Sequence, residues 1–206
     1  VEFNPLDSTY CNKQKKEIEY RYNQLINKND FYGQFLVAKN GKILFEDYEG
    51  FAYKEKDDKN RKNKPLHIAS VSKVLTAAVI LRMVDQEKIG LDDKVSKYLK
   101  GFYHDEITVR MLLNHRSGLR HYGYFIERDV KWDKSKRITN QDILDLINSG
   151  KIHLESKPGT RFAYCNTNYS LLALIIEKVS GMRYHEAMDK LLFKPLGMKN
   201  TFVFDY

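Results

Sequence analysis

The sequence contains little cysteine and no long apolar run. Only two of its 206 residues are cysteines, Cys11 and Cys165, which is too few for a disulfide-stapled scaffold. Neither has a second cysteine or a histidine at ligand spacing, so we expect no zinc or other metal site. No run approaches the roughly 18 apolar residues that a membrane-spanning helix requires, and we expect no such span.

A secretory signal and flexible linkers are also missing. The first residues, VEFNPLDSTYCNKQKK, have neither the charged segment nor the apolar segment of a signal peptide. The residues alone leave two alternatives, a cytoplasmic chain or one from which a leader has been removed. There is no internal repeat and no linker rich in proline, glycine or serine. With 42% hydrophobic and 13% aromatic residues, the composition is that of a globular chain rather than a disordered one.

Positive charge is in excess but spread along the chain. There are 35 Lys and Arg against 27 Asp and Glu, which gives a net charge of +8. The densest run, Lys54 to Lys64, could be a patch for nucleic acid or a solvated loop between a strand and a helix. Three acids interrupt the run and no aromatic residue interleaves with it, which favours the loop. We therefore expect no nucleic-acid partner.

The N-terminal third predicts one helix and one hairpin. Apolar residues recur at helical spacing over residues 13–30, which predicts an amphipathic helix. Two strand-like runs, Gln34–Lys39 and Lys42–Tyr48, flank Asn40-Gly41, the strongest short signature of a β-hairpin. A two-stranded hairpin is marginal alone, yet only residues 201–204 offer another strand.

From Ser70 onward the pattern is helical. The segment from Val71 to Val84 is apolar almost all round, which predicts a helix buried in a core and ended by Gly90. Residues 120–135, with several aromatic side chains, are expected to form loops. The other predicted helices are a short one capped by Thr108, one between Thr139 and Gly150, one over residues 167–180 and one over residues 183–193.

Ser70 and Lys73 are the first candidates for chemistry. If Ser70 starts the helix, Lys73 lies one turn later on the same face. A serine hydroxyl needs a base to become a nucleophile, and a lysine desolvated at a helix start can act as that base. The tetrapeptide alone carries no information, because about one Ser-x-x-Lys is expected by chance. The alternative is a plain N-capping serine followed by a surface lysine.

Tyr164-Cys165-Asn166 is the second candidate. A phenolate can accept a proton in acyl transfer, and an asparagine amide can orient a substrate amide. The same Tyr-x-Asn pattern occurs at Tyr10-Cys11-Asn12, but there it lacks any supporting context. Tyr164 follows a Pro-Gly turn and precedes an apolar helix, where a loop presents side chains to a cleft.

Taken together, four stretches carry a resemblance to a known family. In order they are Ile68-Ala-Ser-Val-Ser-Lys73, Met111-Leu-Leu-Asn-His-Arg-Ser-Gly-Leu119, Pro158-Gly-Thr-Arg-Phe-Ala-Tyr-Cys-Asn166 and Pro195-Leu-Gly-Met198. With them the chain resembles the serine β-lactamase and penicillin-binding-protein superfamily, on the side of class C β-lactamases, D-Ala-D-Ala carboxypeptidases and related esterases. The resemblance covers about residues 30–206. It implies an α+β, β-lactamase/transpeptidase-like fold and a bacterial hydrolase that uses no cofactor.

The resemblance implies a role for each motif residue. Ser70 would be the acylated nucleophile, and Lys73 would accept its proton or hold Tyr164 as a phenolate. Tyr164 would be the base in acylation and would activate water in deacylation, and Asn166 would bind the amide of the substrate. His115 invites a catalytic triad with Ser70, but the family places its stretch on a structural turn. We read Cys165 as a small filler.

The resemblance also implies partners and a location. The substrate would be a small molecule, such as a β-lactam or an ester, or a D-Ala-D-Ala peptide of peptidoglycan. The location would be the periplasm, the cell envelope or the extracellular space.

One element of the family is absent from these residues. The family has a third motif, Lys or His followed by Thr or Ser and then Gly, on a strand near the C-terminus, and no such triplet follows Asn166. We therefore expect the N-terminal part of a longer protein, with an arm and helix over residues 1–30 and an incomplete domain over residues 31–206. We expect the C-terminal strands of the sheet to be missing, little hydrolysis, and a bare hairpin edge that invites self-association.

Two other functions stay open at this point. A receptor or sensor of the same fold would acylate without turnover, or would only bind its ligand. A basic nucleic-acid-binding protein is the remote alternative, and salt-sensitive DNA binding without a covalent adduct would indicate it.

Overall fold

The computed structural model describes residues 2–26 and 31–204 of the chain. They form two compact units, residues 1–67 and residues 68–206, which are described separately below. The sequence predicts a boundary near residue 30, between an N-terminal arm with a helix and the family domain. The division into compact units does not test that boundary, which stays a prediction. No helix in the described ranges is both long enough and apolar enough to cross a membrane.

The first unit begins with helix α1, Ser8–Leu25. It starts earlier than the predicted residue 13 because the carboxylate of Asp7 accepts the N–H of Tyr10 at 2.8 Å and caps the first turn. The helix ends at Leu25, short of the predicted residue 30, and residues 27–30 lie outside the described part of the chain. Tyr22 of α1 is buried against the rings of Phe35 and Phe45, with centroids 4.9 and 5.2 Å away.

The predicted hairpin is confirmed. Strands β1, Gly33–Lys39, and β2, Lys42–Glu49, pair in antiparallel fashion. Asn40 and Gly41 form the turn with φ values of 50° and 72°, the positive values that this tight turn requires. The half-buried positions of β1 alternate with exposed ones, so one face of the hairpin packs while the other is open in the described structure.

The basic run contains more structure than the predicted loop. Strands β3, Phe51–Tyr53, and β4, Asp58–Lys59, form a short antiparallel pair around a helical turn at Lys54–Lys56. Several of its cations pair with acids: Lys62 with Glu46 at 2.6 Å, Arg61 with Asp58 at 2.9 Å, and Lys64 with Asp58. The sequence predicted a solvated loop, and most of the run is exposed, but its short strand and turn were not predicted because they are too short to give a periodic signal.

The second unit is helical and is built around α6. Its helices are α2, Ser72–Asp85; α3, Val109–Leu113; α4, Tyr122–Arg128; α5, Asn140–Asn148; α6, Asn166–Ser180; and α7, Tyr184–Met188, which continues as a π-helical turn over Asp189–Phe193. Helix α6 packs against α2, α3, α5 and α7, and its apolar residues from Leu171 to Ile176 are all buried. It is therefore the central element of this core.

Helix α2 departs from its prediction in two ways. It starts at Ser72, after a 3₁₀ turn over Ala69–Val71, and ends at Asp85, before the predicted stop at Gly90. It is also not buried all round, since Val74 and Leu81 are 67% and 47% exposed. The apolar sequence covers two faces of the helix, and among the described residues only the face that contains Val79 and Met83 is covered.

The predicted ends of the other helices are largely confirmed. Thr108 caps α3, Thr139 caps α5 through a capping box with Asp142, and Gly181 closes α6 with a φ of 70°. Helix α4 lies where loops were expected, and residues 201–204 form no strand. Helices together with antiparallel strand pairs confirm the α+β class.

Candidate active site

Ser70 and Lys73 lie side by side at the start of α2. The sequence suggested that Ser70 starts the α-helix, but Ser70 belongs to the preceding 3₁₀ turn, Ala69–Val71. Lys73 lies in the first turn of α2. The spacing of three residues still places both on one side, and Lys73 Nζ donates a hydrogen bond to Ser70 Oγ at 3.1 Å. Ala69 has a φ of 44°, a left-handed conformation that is uncommon for alanine.

Tyr164 joins this pair from the segment before α6. Its side chain is 52% exposed, and hydrogen bonds with Lys73 and then Ser70, together with the charge of Lys73, lower the pKa of the phenol. Lys73 Nζ lies 5.1 Å from the centre of the Tyr164 ring. The structure thus brings Ser70, Lys73 and Tyr164 together, although they are distant in sequence. A hydroxyl between an amine and an acidified phenol has two nearby groups that can take its proton.

Asn166 is the first residue of α6, two positions after Tyr164. Its Oδ1 is buried and has no hydrogen-bond partner among the described residues. A buried amide oxygen without a partner is unfavourable. Cys165, between Tyr164 and Asn166, is buried, and burial raises the pKa of its thiol. It has the character of a packed small side chain rather than a reactive thiolate.

The charge of Lys73 also reaches two histidines. Burial is the main cause that lowers the pKa of His115 and of His121, and the positive charge of Lys73 lowers both further. The Nδ1 atom of His115 accepts the backbone N–H of Cys165 at 3.1 Å. Because this nitrogen accepts a hydrogen bond from the backbone next to Tyr164, it gives no support to the alternative of a triad with Ser70.

The residue patterns alone did not reveal the buried polar side chains that lie near His115 and Tyr164. Ser117 Oγ donates to Asn168 Oδ1 at 2.6 Å, and Thr167 Oγ1 donates to the carbonyl of Arg120 at 2.8 Å. Ser117, Thr167 and Asn168 are all buried. The signal for this network in the sequence was the pair Thr167 and Asn168 near the start of the otherwise apolar α6. No group of histidine, cysteine, aspartate and glutamate in the described ranges is arranged to hold a metal ion.

Comparison with known proteins decides the family. The model of the family described as Beta-lactamase matches residues 32–206, which is more than half of the chain. The chain belongs to the β-lactamase family. The resemblance seen in its four motifs is thereby confirmed, and so is the β-lactamase/transpeptidase-like fold, through structural neighbours of that fold.

Three relatives place this β-lactamase-family chain more closely. It is 37% identical to Penicillin-binding protein 4* of Bacillus subtilis (strain 168) over 194 residues, which are 93% of this chain and 42% of the relative. Its structure is similar to that of a penicillin binding protein from Bacillus halodurans, with a TM-score of 0.75, 27% identity, and 89% of this chain and 56% of that chain covered.

The third relative is the octameric penicillin-binding protein homologue from Pyrococcus abyssi. The TM-score is 0.71 at 30% identity, with 89% of this chain and 43% of that chain covered. The β-lactamase-family chain thus spans 42–56% of the length of these three proteins.

Proposed function

We propose that this chain carries the acylation centre of a serine hydrolase with a Ser-Lys-Tyr mechanism. The observation that supports it is the convergence of three groups: Ser70 Oγ lies 3.1 Å from Lys73 Nζ, and the same Nζ lies 5.1 Å from the centre of the Tyr164 ring, whose phenol has a lowered pKa because of Lys73 and Ser70. The proposed substrates are β-lactams, D-Ala-D-Ala peptides or small esters. All are acyl compounds that a serine can attack.

In acylation, Tyr164 as a phenolate takes the proton of Ser70, and Oγ attacks the carbonyl carbon of the substrate. The bond from that carbon to the leaving nitrogen or oxygen then breaks, and the leaving atom takes the proton from Tyr164. The charge of Lys73 keeps Tyr164 acidic, since it lowers the pKa of the phenol. In deacylation, Tyr164 takes a proton from water, and the water oxygen attacks the acyl carbon. The bond from that carbon to Ser70 Oγ breaks, the acid product leaves, and Oγ takes the proton from Tyr164.

Asn166 is proposed to bind the amide of the substrate. It lies two positions after the proposed base Tyr164 in the chain, and its side-chain amide can pair with the amide of an acyl substrate. The backbone N–H of Ser70, in the 3₁₀ turn before α2, is proposed to supply one oxyanion donor.

The experiment is covalent labelling with a fluorescent penicillin and a fluorophosphonate, followed by intact-mass and peptide-mass analysis. We expect one adduct on Ser70, its loss in Ser70→Ala, and its retention in the matched control Ser72→Ala in the same turn. An unlabelled wild-type chain, or a label that survives in Ser70→Ala, would overturn the proposal.

The lifetime of the adduct separates an enzyme from a sensor. A hydrolase releases the acyl group to water, whereas a penicillin receptor of the same fold acylates and turns over little. The receptor is the second candidate function. An adduct that persists for hours supports the receptor, and release within minutes supports the hydrolase.

We also propose a location and a mode of self-association. A substrate drawn from peptidoglycan would place the protein in the cell envelope or outside the cell. In the described ranges β1 pairs with β2 alone, so each strand has an edge that could pair with a second copy. Sedimentation at rising protein concentration tests this association.

A further inference from the structure

His115 lies directly behind the proposed base. The centroids of the His115 and Tyr164 rings are 4.5 Å apart, and the ring planes are tilted by 39°. His115 is 8% exposed and follows α3 in a turn where its own φ is 58°. Left-handed backbone is uncommon outside glycine, and histidine tolerates it better than most residues. The turn is therefore built to present this side chain to the segment that holds Tyr164.

Two backbone hydrogen bonds to His115 bracket Tyr164. The N–H of Ala163 donates to the carbonyl oxygen of His115 at 2.9 Å, and the N–H of Cys165 donates to its Nδ1 at 3.1 Å. The backbone on both sides of Tyr164 is thus attached to a single residue. With the ring packed on the phenol as well, His115 contacts this residue and both its neighbours in the chain.

The orientation of the His115 ring is itself fixed. Asn168 Nδ2 lies 3.2 Å from His115 Nδ1, and the Oδ1 of the same amide accepts a hydrogen bond from Ser117. Since Nδ1 faces two N–H donors, it must be an acceptor, which places the ring proton on Nε2. The titratable groups around the ring are Lys73 from α2, Tyr164 and Cys165 from the segment before α6, and Tyr169 from α6.

We propose that His115 is a positioning residue that holds the phenol of Tyr164 in reach of Lys73 and Ser70. It acts through Tyr164, and its Nδ1 is engaged by the backbone of Cys165. The inference rests on the proposed function, in which Tyr164 is the base. Small displacements of a reacting group are costly, since an error of about 1 Å can lower a rate by about 10²-fold.

Two substitutions separate the parts of this contact. His115→Phe keeps a ring against Tyr164 and removes the acceptor, whereas His115→Asn keeps an acceptor near the position of Nδ1, tolerates left-handed backbone and removes the ring. His104→Asn is the matched control, because His104 is also a buried histidine and its ring contacts are with Phe102 and Tyr103. Thermal melting of all three variants reports whether each is folded.

The first readout is the acylation of Ser70 by fluorescent penicillin, resolved into the dissociation constant of the first complex and the rate constant of acylation. We expect this rate constant to fall about 10²-fold in His115→Phe and about tenfold in His115→Asn, with an unchanged dissociation constant. His104→Asn should acylate like the wild type. A purely structural role for His115 would not confine the loss to the acylation step.

The second readout does not depend on acylation. The ionisation of tyrosines is followed by ultraviolet absorbance, for each protein and for a version of it that also carries Tyr164→Phe. Subtracting the second titration from the first gives the ionisation of Tyr164. We expect the pKa of Tyr164 to move back towards that of free tyrosine in His115→Phe, because the phenol leaves Lys73 and Ser70. If the wild-type chain were not acylated at all, the proposed function would fail while this titration still tested the positioning.

The proposal is overturned if folded His115→Phe acylates at the wild-type rate, or if the titration of Tyr164 is unchanged in it. If His115→Phe does not fold, His115→Asn decides. A wild-type acylation rate in that variant, together with an unchanged Tyr164 titration, overturns the proposal, and a reduced rate with a normal dissociation constant supports it.

Discussion

The ammonium group of Lys73 influences the titration of Tyr164 and of two histidines, His115 and His121. It donates to Ser70 Oγ at 3.1 Å and lies 5.1 and 5.8 Å from the ring centres of Tyr164 and Tyr169. Its hydrogen bond and its charge lower the pKa of Tyr164, and its charge adds to burial in lowering the pKa of His115. One side chain therefore favours the phenolate form of Tyr164 and the neutral form of His115 together.

This arrangement predicts how acylation depends on pH. The rate should rise with pH through the pKa of Tyr164, below the value near 10 of a free phenol, because the phenolate is the base. In Lys73→Met the hydrogen bond and charge are lost, so the rising limb should move to higher pH. Tyr164→Phe should lower the rate by roughly 10²–10⁴-fold at all pH values.

The measurement is the rate of Ser70 labelling across the pH range, with Lys73→Arg as the control that keeps a positive charge. A rising limb at the same pH in the wild type and in Lys73→Met would contradict the assignment of Lys73 as the group that acidifies Tyr164.

The sequence predicted which site residues meet, and it missed what supports them. Ser70, Lys73 and Tyr164 were recognisable because motif order and placement before apolar helices single them out. The contacts of His115 were not, because its Nδ1 bonds to a residue 50 positions away and the geometry depends on a left-handed turn. Long-range pairings of polar side chains leave no periodic pattern in one sequence.

Helix α5 shows how a local signal fixes one element. Thr139 Oγ1 accepts the N–H of Asp142 at 3.1 Å, and the carboxylate of Asp142 accepts the N–H of Thr139 at 2.8 Å. Thr139→Ala removes the hydroxyl and leaves the N–H of Asp142 without its side-chain acceptor. The free energy of unfolding should fall by about 1 kcal/mol.

Urea unfolding monitored by circular dichroism measures this effect, and Thr201→Ala, at a threonine outside any helix, is the matched control. Equal effects of the two substitutions would show that the capping box contributes nothing specific.

The elements themselves were predictable where the signal is local. The turn at Asn40-Gly41, the cap at Thr139 and the close of α6 at Gly181 all depend on neighbours in sequence, and all were found. Helix α4 and the pair β3 and β4 were missed, because they are short. The exposure of α2 was misjudged, because apolar composition does not tell which faces a neighbour covers.

The helical unit contains two buried histidines, His104 and His115, and the half-buried His121, and burial lowers the pKa of each. The half-buried Asp93 behaves differently, since its hydrogen bond with Lys97 is the main cause that lowers its pKa to about 2. Two windows of acid sensitivity follow. The carboxylate at Asp93 loses its stabilising effect only when the pH falls from about 4 towards 2, whereas the histidines respond first.

The histidines predict a loss of stability that begins near pH 6.5. Below that pH the unfolded chain binds protons that the folded chain refuses, so the free energy of unfolding falls as the pH decreases. Above about pH 6.5 both states are neutral at these positions and the dependence vanishes. The melting temperature should therefore drop between about pH 6.5 and 5.5, before carboxylates titrate. The drop should be shallower in His104→Asn and in His115→Asn than in the wild type. A melting temperature that stays constant over this range would show that the histidines protonate as readily in the folded protein as in the unfolded chain.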